Sequence, residues 1–340
     1  MGSNSLISVF ALFFVFSILF SSMNERDRHA ADSTYGYMKL TTAREITRSS
    51  INIALKKISQ DLYKLSADSL SGNLDGGEYK VTWFRENDTL LNLMAKGKFS
   101  DSMCLIKTKL LIYSKPFPKD SAAVSLHVNS VGMIMKGTPL IDGHNYDING
   151  NNPSDSGAVP AVAVLSKTDS ANLAKFGSYL DGSQDLLVNP ALPDPEAFVN
   201  QYMANADYIL TPSGSPYSGN MNYGDTTHPK IVFIDGSDST HPVKISGTIQ
   251  GWGILVVRGF FQLTGTMDWH GLVVVSSSSV FDFALAKGTP RIIGSLLMGG
   301  PPGSTLEMRG TANILYSSAA LHQSQWIGKL LAYHVVDWYE

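Results

Sequence analysis

This sequence has a single cysteine and no net positive charge, and each of these features argues against a class of protein. Among 340 residues there is one cysteine, Cys104, so neither an intramolecular disulfide nor a cysteine-based metal cluster can form. Cys104 lies in the apolar run MCLI, which predicts a buried side chain. The formal net charge of -3 gives no electrostatic reason to expect nucleic acid as a partner.

Charged residues are also few, at 16%, whereas hydrophobic residues make up 44% and can supply a packed core. The 30 glycines and 15 prolines indicate many turns and little helix beyond the start of the chain. The length fits two domains, or one elongated repeat domain with an appendage.

The N-terminal segment has no charged residue between Ser5 and Met23, and Leu6 to Phe20 is almost wholly apolar. About 18 to 20 such residues span the hydrocarbon core of a bilayer. No Lys or Arg precedes the run, and the residues that follow Phe20 are unlike a cleavage site, which favours an uncleaved anchor over a signal peptide. A buried helix of a soluble protein is the third alternative. We expect residues 1–24 to be a transmembrane anchor.

An amphipathic helical pattern follows, with no proline to interrupt it, and extends to about residue 66. Its apolar residues recur at helical spacing: Ile51, Ala54, Leu55, Ile58, Leu62 and Leu65. The segments Gly77–Phe84 and Met103–Tyr113 have the composition of strands. We therefore predict a long helix lying on a small antiparallel sheet of three or four strands, within residues 25–118.

A repeat dominates the C-terminal part of the chain. Ile245–Ile249 and Leu263–Met267 both read apolar-x-Gly-Thr-apolar. The same separation in sequence relates Gly253–Val257 to Gly271–Val275, and a third copy with wider spacing includes Gly294–Met298. A period of about 20 residues with short apolar strands and glycines is typical of a β-solenoid, resembling a right-handed β-helix. A hairpin array of a β-sandwich is the alternative.

The predicted solenoid domain covers residues 119–330 and is interrupted by an insertion at about 158–229. The insertion contains two predicted helices, Asp169–Tyr179 and Asp194–Ala206, and a polar loop from Pro212 to Pro229. Asp194 is suited to cap the second helix, because Pro195 fits the first helical position. The fold class is thus mainly β, with an N-terminal transmembrane and amphipathic helix and a helical insertion in a β-solenoid.

One group of polar residues is a candidate for a catalytic site of the kind that polysaccharide-cleaving β-helices carry. Asp268 and His270 stand at i and i+2, and Arg258, Asp282 and Lys287 are near in sequence. The segment Asp268–Gly271 has the composition of a turn between strands. We therefore assign no catalytic residue and predict that the protein is not an enzyme.

Two further groups are candidates for metal sites. The first flanks the polar loop with a spacing that matches no known metal pattern: Asp225, His228, Asp235, Asp238 and His241. The second alternates oxygen-bearing side chains around Gly143 and Gly150, as Ca²⁺ sites do: Asp142, Asn145, Asp147, Asn149 and Asn151. Asx-rich turns explain the second group equally well. No metal, cofactor or binding residue is predicted.

Several segments resemble a known family. The apolar N-terminus with Ala43–Leu62 resembles the N-terminal region of PilX-type type IV pilus assembly proteins, and Gly251–Val275 with Arg309–Leu321 resembles the C-terminal β-solenoid of such proteins. The resemblance covers about half of the chain. Prepilins carry a basic leader, a glycine before the cleaved bond and a Glu at the fifth mature position. Here Ser3 follows Gly2 and the fifth position is Ile7. The resemblance therefore implies a membrane-anchored, pilin-like accessory protein.

The resulting expectation is a non-enzymatic structural or assembly component of a type IV pilus or type II secretion-like apparatus. Its helix would contact lipid and pilin-like or secretion proteins in the cytoplasmic (inner) membrane, with most of the chain periplasmic or extracellular. Two alternatives remain: a membrane-tethered carbohydrate-active β-helix enzyme, and a bactofilin-like β-solenoid that forms polymers.

Overall fold

The computed structural model describes residues 3–60, 67–87, 89–119, 121–213, 215–236, 243–259, 261–263, 265–276, 280–283 and 290–340. The chain divides into two compact units. The first comprises Met1–Tyr113 and Ala332–Glu340, and the second comprises Ser114–Leu331.

A single helix, α1 (Ser3–Gln60), forms the N-terminal part of the first unit. Its sequence contains no proline and one glycine, Gly36, so nothing interrupts the backbone hydrogen bonds. At the usual rise per residue the helix is about 87 Å long. The predicted passage from an apolar into an amphipathic helix is therefore confirmed as far as Gln60, and Leu62 and Leu65 lie outside the described residues.

The first unit also contains a five-stranded sheet. Its strands are β1 (Asp68–Leu74), β2 (Gly77–Arg85), β3 (Leu90–Phe99), β4 (Ser102–Ser114) and β22 (Leu331–Tyr339), and they lie side by side in that order. The first four pair antiparallel, which confirms the predicted sheet. The fifth comes from the C-terminal end of the chain and was not predicted. The Thr108 hydroxyl on β4 donates to the Asp337 carbonyl at 2.8 Å.

One face of this sheet is buried, as the alternation along β4 shows. Cys104, Ile106, Thr108 and Leu110 are buried, and the residues between them are exposed or half-exposed. This period of two is that of an antiparallel strand with one face on a core. The prediction that Cys104 is buried is confirmed.

The second unit consists mainly of parallel strands. In chain order they are β5 (Val124–His127), β6 (Gly132–Gly137), β7 (Leu140–Asp142), β8 (Val162–Val164), β9 (Leu180–Asp181), β10 (Leu186–Val188), β11 (Tyr208–Leu210), β12 (Asn220–Tyr223), β13 (Lys230–Gly236), β14 (Val243–Ile245), β15 (Thr248–Gly259), β16 (Phe261–Leu263), β17 (Thr266–Ser276), β18 (Val280–Phe283), β19 (Arg291–Gly299), β20 (Thr305–Gly310) and β21 (Asn313–Tyr316). The main sheet includes strands in the order β10-β8-β5-β19-β17-β15-β13-β11, and β18-β20-β6 and β14-β16 form smaller sheets.

The register of these strands follows the sequence repeat. Thr248 pairs with Thr266 on β15 and β17, and Val243 pairs with Phe261 on β14 and β16, so both ladders share the offset of the repeat. The third copy pairs Gly271 with Gly294. All these pairs are parallel, whereas hairpins pair antiparallel, so the hairpin-array alternative is wrong for these strands.

Three glycines occupy neighbouring positions within β15, β17 and β19. Gly253, Gly271 and Gly294 have φ angles of 117°, 135° and 146°, which residues other than glycine rarely adopt. A Cβ on Gly271 would lie 2.0 Å from the Gly253 carbonyl oxygen. The glycines therefore allow the backbones of neighbouring strands to approach closely without ending any strand. The interpretation of Asp268–Gly271 as a turn between strands is wrong, because β17 is continuous there.

The predicted insertion at 158–229 needs correction. It contains α2 (Lys167–Leu173), a 3-10 helix (Ala174–Tyr179) and α3 (Glu196–Ala204), close to the two predicted helices. The Asp194 carboxylate accepts from the Glu196 amide at 3.0 Å, as expected of a capping side chain. However, the strands β8 to β12 also lie here, and each pairs with a strand of the main sheet or its branches. Segments this short do not show a β period in the sequence.

The strand order also departs from the chain order. The first strand of the second unit, β5, pairs with β19, which comes near the end of that unit. Strand β8 pairs with the other edge of β5, whereas β11 lies at the opposite end of the ladder beside β13. The helix α4 (Ser318–Gln325) packs on β15, β17 and β19. These central strands are buried on both faces, as is usual for parallel sheets.

Candidate functional site

The strongest functional feature of the first unit is the exposed part of α1. Every side chain from Val9 to Met38 is exposed. The largest are aromatic and mostly accessible, for example Phe10 69%, Phe13 76%, Phe14 69% and Phe20 72%. Soluble monomers rarely leave contiguous apolar patches of this extent in water. Exposure of this extent is typical of a surface that contacts lipid or another apolar partner.

The helix is long and apolar enough to cross a bilayer. Its apolar part contains an 18-residue window with a mean hydropathy of 1.3, none of it buried. Glu25 is the first charged residue of the chain, so the preceding residues are free of charge over the length that a bilayer core requires. These properties fit a single-pass membrane anchor.

The exposed helix continues beyond the apolar segment. Glu25, Arg26, Asp27 and Arg28 alternate in sign, so they favour neither side of a membrane. In the described residues, the first ion pair between the helix and the rest of its unit joins Lys39 Nζ to Asp101 Oδ1, in the turn between β3 and β4, at 2.9 Å. Hydrogen bonding to Asp101 raises the pKa of Lys39. From residue 25 to residue 39 the helix thus extends through solvent for about 21 Å.

The last part of α1 packs on the sheet. Ala43, Ile46, Ile51, Ala54 and Ile58 are each at most 1% exposed. They contact mainly β2 and β3. Ile51, Ala54 and Ile58 belong to the predicted apolar face, and Leu55 of that face is half-buried.

The backbone of this part of the helix lies close to strand β3 at Gly97. A Cβ on Gly97 of β3 would lie 2.3 Å from Thr47 Oγ1 and 2.8 Å from the Ala43 carbonyl oxygen. The Thr47 hydroxyl donates to that carbonyl at 2.7 Å. Small residues on both elements therefore let the helix approach the strand.

The basic residues of this part of the helix reach the C-terminal residue. Arg48 Nη2 lies 3.0 Å from Glu340 Oε2, and Arg44 also pairs with Glu340. These contacts raise the pKa of Arg48. Within the first unit, the helix thus contacts β2 and β3, which follow it in the chain, and also Glu340 at the C-terminal end.

Two of the candidate catalytic residues, Asp268 and His270, form an ion-pair network with Arg291 on β17 and β19. Arg291 Nε and Nη2 donate to Asp268 Oδ1 and Oδ2 at 2.9 and 3.1 Å. His270 Nε2 lies 3.5 Å from Asp268 Oδ1, and its Nδ1 lies 2.7 Å from the Ile148 carbonyl oxygen. Burial opposes ionisation of Asp268, but the hydrogen bonds from His270 and Arg291 outweigh it and lower the pKa of Asp268 to about 2.

Arg291 was not among the predicted residues, and Arg258, which was, does not join this network. Arg258 instead forms a bidentate pair with Asp235, at 3.1 and 2.8 Å, on β15 and β13. Asp282 lies on β18, but its side chain is outside the description, as is Lys287. Both Asp–Arg pairs have the same separation in sequence, and this shared spacing could have identified them as cross-strand partners.

The residues around the polar loop are not gathered at one centre in the described part of the chain. Asp225 Oδ1 accepts from the Thr227 hydroxyl and amide, both at 2.6 Å, and lies 3.3 Å from His228 Nδ1. The hydrogen bonds from Thr227 lower the pKa of Asp225. Asp235 pairs with Arg258, while Asp238 and His241 lie outside the described residues.

The oxygen-rich group after β7 separates into three local roles. Asp147 Oδ1 accepts from the amides of Asn149 and Asn151 at 2.9 and 3.0 Å, as in an Asx turn. Asn145 Oδ1 accepts from the Ser318 amide at 3.0 Å. Asp142 faces a different set of residues. The turn interpretation therefore explains Asp147, and the described geometry does not gather these oxygens around one ion.

Comparison with known proteins does not assign this chain to a family. No protein-family model matches the chain, and no curated protein matches it. Among solved structures, the crystal structure of the competence-associated pilin ComZ from Thermus thermophilus is similar to 88% of this chain and covers 97% of its own, at 9% identity. The TM-score is 0.25, too low for any inference about this chain.

Proposed function

We propose that the protein is a non-enzymatic structural or assembly component of a type IV pilus or type II secretion-like apparatus. The observation that carries this proposal is the division of α1. Its apolar part is exposed from Val9 onward, and its last part is packed on an antiparallel sheet. In this arrangement one rigid helix connects a membrane to a folded unit in water.

The proposed partners of the exposed segment are lipid and the apolar helices of pilin-like or secretion-apparatus proteins. Aromatic and aliphatic side chains cover all sides of this segment, so it can contact lipid and neighbouring helices together. The resemblance of Ala43–Leu62 to PilX-type proteins favours this class of partner. Nucleic acid is not a proposed partner, given the net charge of -3.

We also propose that the parallel ladders of the second unit wind as a β-solenoid. The shared offset of the pairs β14–β16 and β15–β17 supports this, because one coil of a solenoid brings each strand beside its counterpart in the next. Such a unit would present a rigid surface to other components of the apparatus.

The absence of catalytic activity is likewise a proposal. Asp268 holds Arg291 through both carboxylate oxygens, and both nitrogens of His270 have partners. These contacts within the protein favour a structural role for both side chains. A glycan-degradation screen of the full-length protein should show no turnover, and turnover that Asp268→Asn abolishes would contradict the proposal.

The proposed location is the inner membrane, with most of the chain periplasmic or extracellular. Cys104 is the single cysteine and is buried, so a Cys104→Ala background suits accessibility labelling. A cysteine at the exposed Asp185 should react with a membrane-impermeant maleimide in intact spheroplasts. Reaction only after lysis would place the second unit in the cytoplasm and contradict the proposed orientation.

The assembly role can be tested by photocrosslinking in membranes. A photoreactive residue at Phe13 of the full-length protein should recover pilin-like or secretion components, identified by mass spectrometry. The matched control carries the same residue at Phe13 together with Leu12→Arg and Phe16→Arg, which should prevent recovery. Recovery of lipid alone, or of none of these proteins, would contradict an assembly role.

A further inference from the structure

Two aspartates face each other across the parallel pair β7–β9. Asp142 and Asp181 occupy the same register position, directly after the paired residues Ile141 and Leu180. Like charges in directly opposite positions destabilise a sheet. Asp142 is also only 4% exposed, so its charge is poorly screened by water. This pairing calls for a compensating positive group.

His144 lies between these two carboxylates. Its Nδ1 is 2.6 Å from Asp142 Oδ1 and 4.0 Å from Asp181 Oδ1. One ligand atom from each of the three residues lies within 4.8 Å of the other two. An imidazole nitrogen and two carboxylate oxygens at these separations can bind the same cation after small side-chain rotations.

The residues behind this set hold its members in place. His144 Nε2 lies 3.3 Å from Asp155 Oδ1, and the Tyr146 hydroxyl donates to Asp142 Oδ2 at 2.6 Å. Histidine ligands of metals usually donate their other ring nitrogen to a carboxylate, and carboxylate ligands are themselves hydrogen-bonded. Both kinds of outer contact are present here.

The charges around His144 are unbalanced. Three carboxylates lie within 4.0 Å of its ring nitrogens, those of Asp142, Asp155 and Asp181. Within the described residues, none of the three forms an ion pair with Lys or Arg. A protonated His144 supplies one positive charge, which leaves an excess of negative charge. The other clustered aspartates differ, since Asp235 and Asp268 each hold an arginine.

We propose that Asp142, His144 and Asp181 form a binding site for a divalent transition-metal ion of the Zn²⁺ type. Asp142 and Asp181 supply oxygen ligands and His144 supplies Nδ1, which gives up its hydrogen bond to Asp142. Tyr146 and Asp155 orient these ligands. The site is open on one side, because the Asp155 and Asp181 side chains are 98% and 63% exposed, so an ion can enter and retain water.

The donor set favours this ion class over Ca²⁺ or Mg²⁺. Imidazole suits zinc and its neighbours, whereas the alkaline-earth ions prefer oxygen ligands alone. The proposed site shares only Asp142 with the oxygen-rich group identified from the sequence. It does not depend on the proposed role in a pilus or secretion apparatus.

The test is calorimetric titration of the detergent-purified full-length protein, stripped with EDTA and then freed of it. Zn²⁺ should bind with one equivalent per chain and raise the Tm, and Co²⁺ should give the visible absorption bands of a protein-bound ion. His144→Gln and Asp181→Asn should each abolish the stoichiometric binding. Asp181 is an exposed residue, so its substitution leaves folding intact.

Two controls distinguish a built site from general affinity. Tyr146→Phe removes an orienting contact and should weaken Zn²⁺ binding by about tenfold or more without abolishing it. His228→Gln with Asp225→Asn removes an exposed His–Asp pair outside the proposed site, and should leave binding unchanged. Absence of stoichiometric Zn²⁺ binding to the unaltered protein, or equal binding by Asp181→Asn, would overturn the proposal. So would tighter binding of Ca²⁺ than of Zn²⁺.

Discussion

The two parts of α1 show that hydrophobicity alone does not decide which residues are buried. The part before Met23 carries the larger apolar side chains, and Phe13 is 76% exposed. The part that is buried carries Ala43, Thr47 and Ser50, all fully buried in contact with the sheet or the helix itself. Burial within this unit therefore follows the availability of a matching surface. The exposed part meets no such surface in the described part of its own unit, which is why we propose that a bilayer or partner helices supply one.

The largest expected effect comes from placing charge in the exposed part. Leu12→Arg with Phe16→Arg should release the protein from membranes, because each central arginine costs about 2.5 to 3.5 kcal/mol on insertion scales. Arginine is a good helix former, so α1 itself should persist. The measurement is the fraction that sediments with membranes after a carbonate wash. Tyr35→Arg with Met38→Arg, also exposed but beyond the apolar segment, should leave that fraction unchanged.

The next effect separates a buried from an exposed position on the same turn of the helix. Ile51→Ala should destabilise the first unit by about 2 to 5 kcal/mol, since it leaves a cavity between helix and sheet. Ile53, at 40% exposure, points elsewhere, and Ile53→Ala should change stability by about 0.5 kcal/mol or less. Denaturant unfolding of both variants measures the difference. Equal losses would show that the helix does not pack as described.

A smaller effect is expected where helix and strand approach most closely. Gly97→Ala places a methyl group against Thr47 and the Ala43 carbonyl, and should cost about 1 to 3 kcal/mol by overpacking. Gly36→Ala is the matched control, because a Cβ there meets nothing within 4 Å and alanine favours the helix. The control should be neutral or stabilising in the same unfolding assay, and a loss there as large as at Gly97 would contradict a specific contact.

The smallest effect concerns the ion pairs between α1 and the C-terminal residue. Glu340→Gln removes the partner of Arg44 and Arg48. These arginines are partly exposed, so the Tm should fall by less than in Ile51→Ala, and the difference should shrink at high salt. A large decrease in Tm that salt does not alter would mean that these two ion pairs position the last strand, in addition to attracting opposite charges.

Different parts of the structure were predictable for different reasons. The continuity of α1 and the burial of Ile51, Ala54 and Ile58 follow from a helical period over many residues. The parallel register of β15 with β17 follows from the offset between the repeated segments. The interpretation of Asp268–Gly271 as a turn failed, because glycine and polar residues in a strand have the composition of a turn. Here Gly271 lies inside a continuous strand, and Asp268 is paired with Arg291 from the next strand.

The candidate sites were less predictable than the helix. Asp142 was grouped with its neighbours in sequence, yet in the structure it faces Asp181 on a separate strand and His144 beside it. Asp225, His228 and Asp235 were grouped by proximity in the chain, but Asp235 belongs with Arg258. Sequence spacing identifies such groups only when a regular period relates them.

The sequence by itself determined the apolar N-terminal helix, its amphipathic continuation and the shared offset of the repeated strands. Each of these depends on periodic patterns of neighbouring residues, which local sterics and hydrophobicity convert directly into structure. Only the tertiary structure decided that the last strand joins the first sheet, that β5 lies beside β19, and that Asp142, His144 and Asp181 meet. Those contacts join residues far apart in the chain, and packing and backbone pairing choose among many possible partners with no local signal to name them.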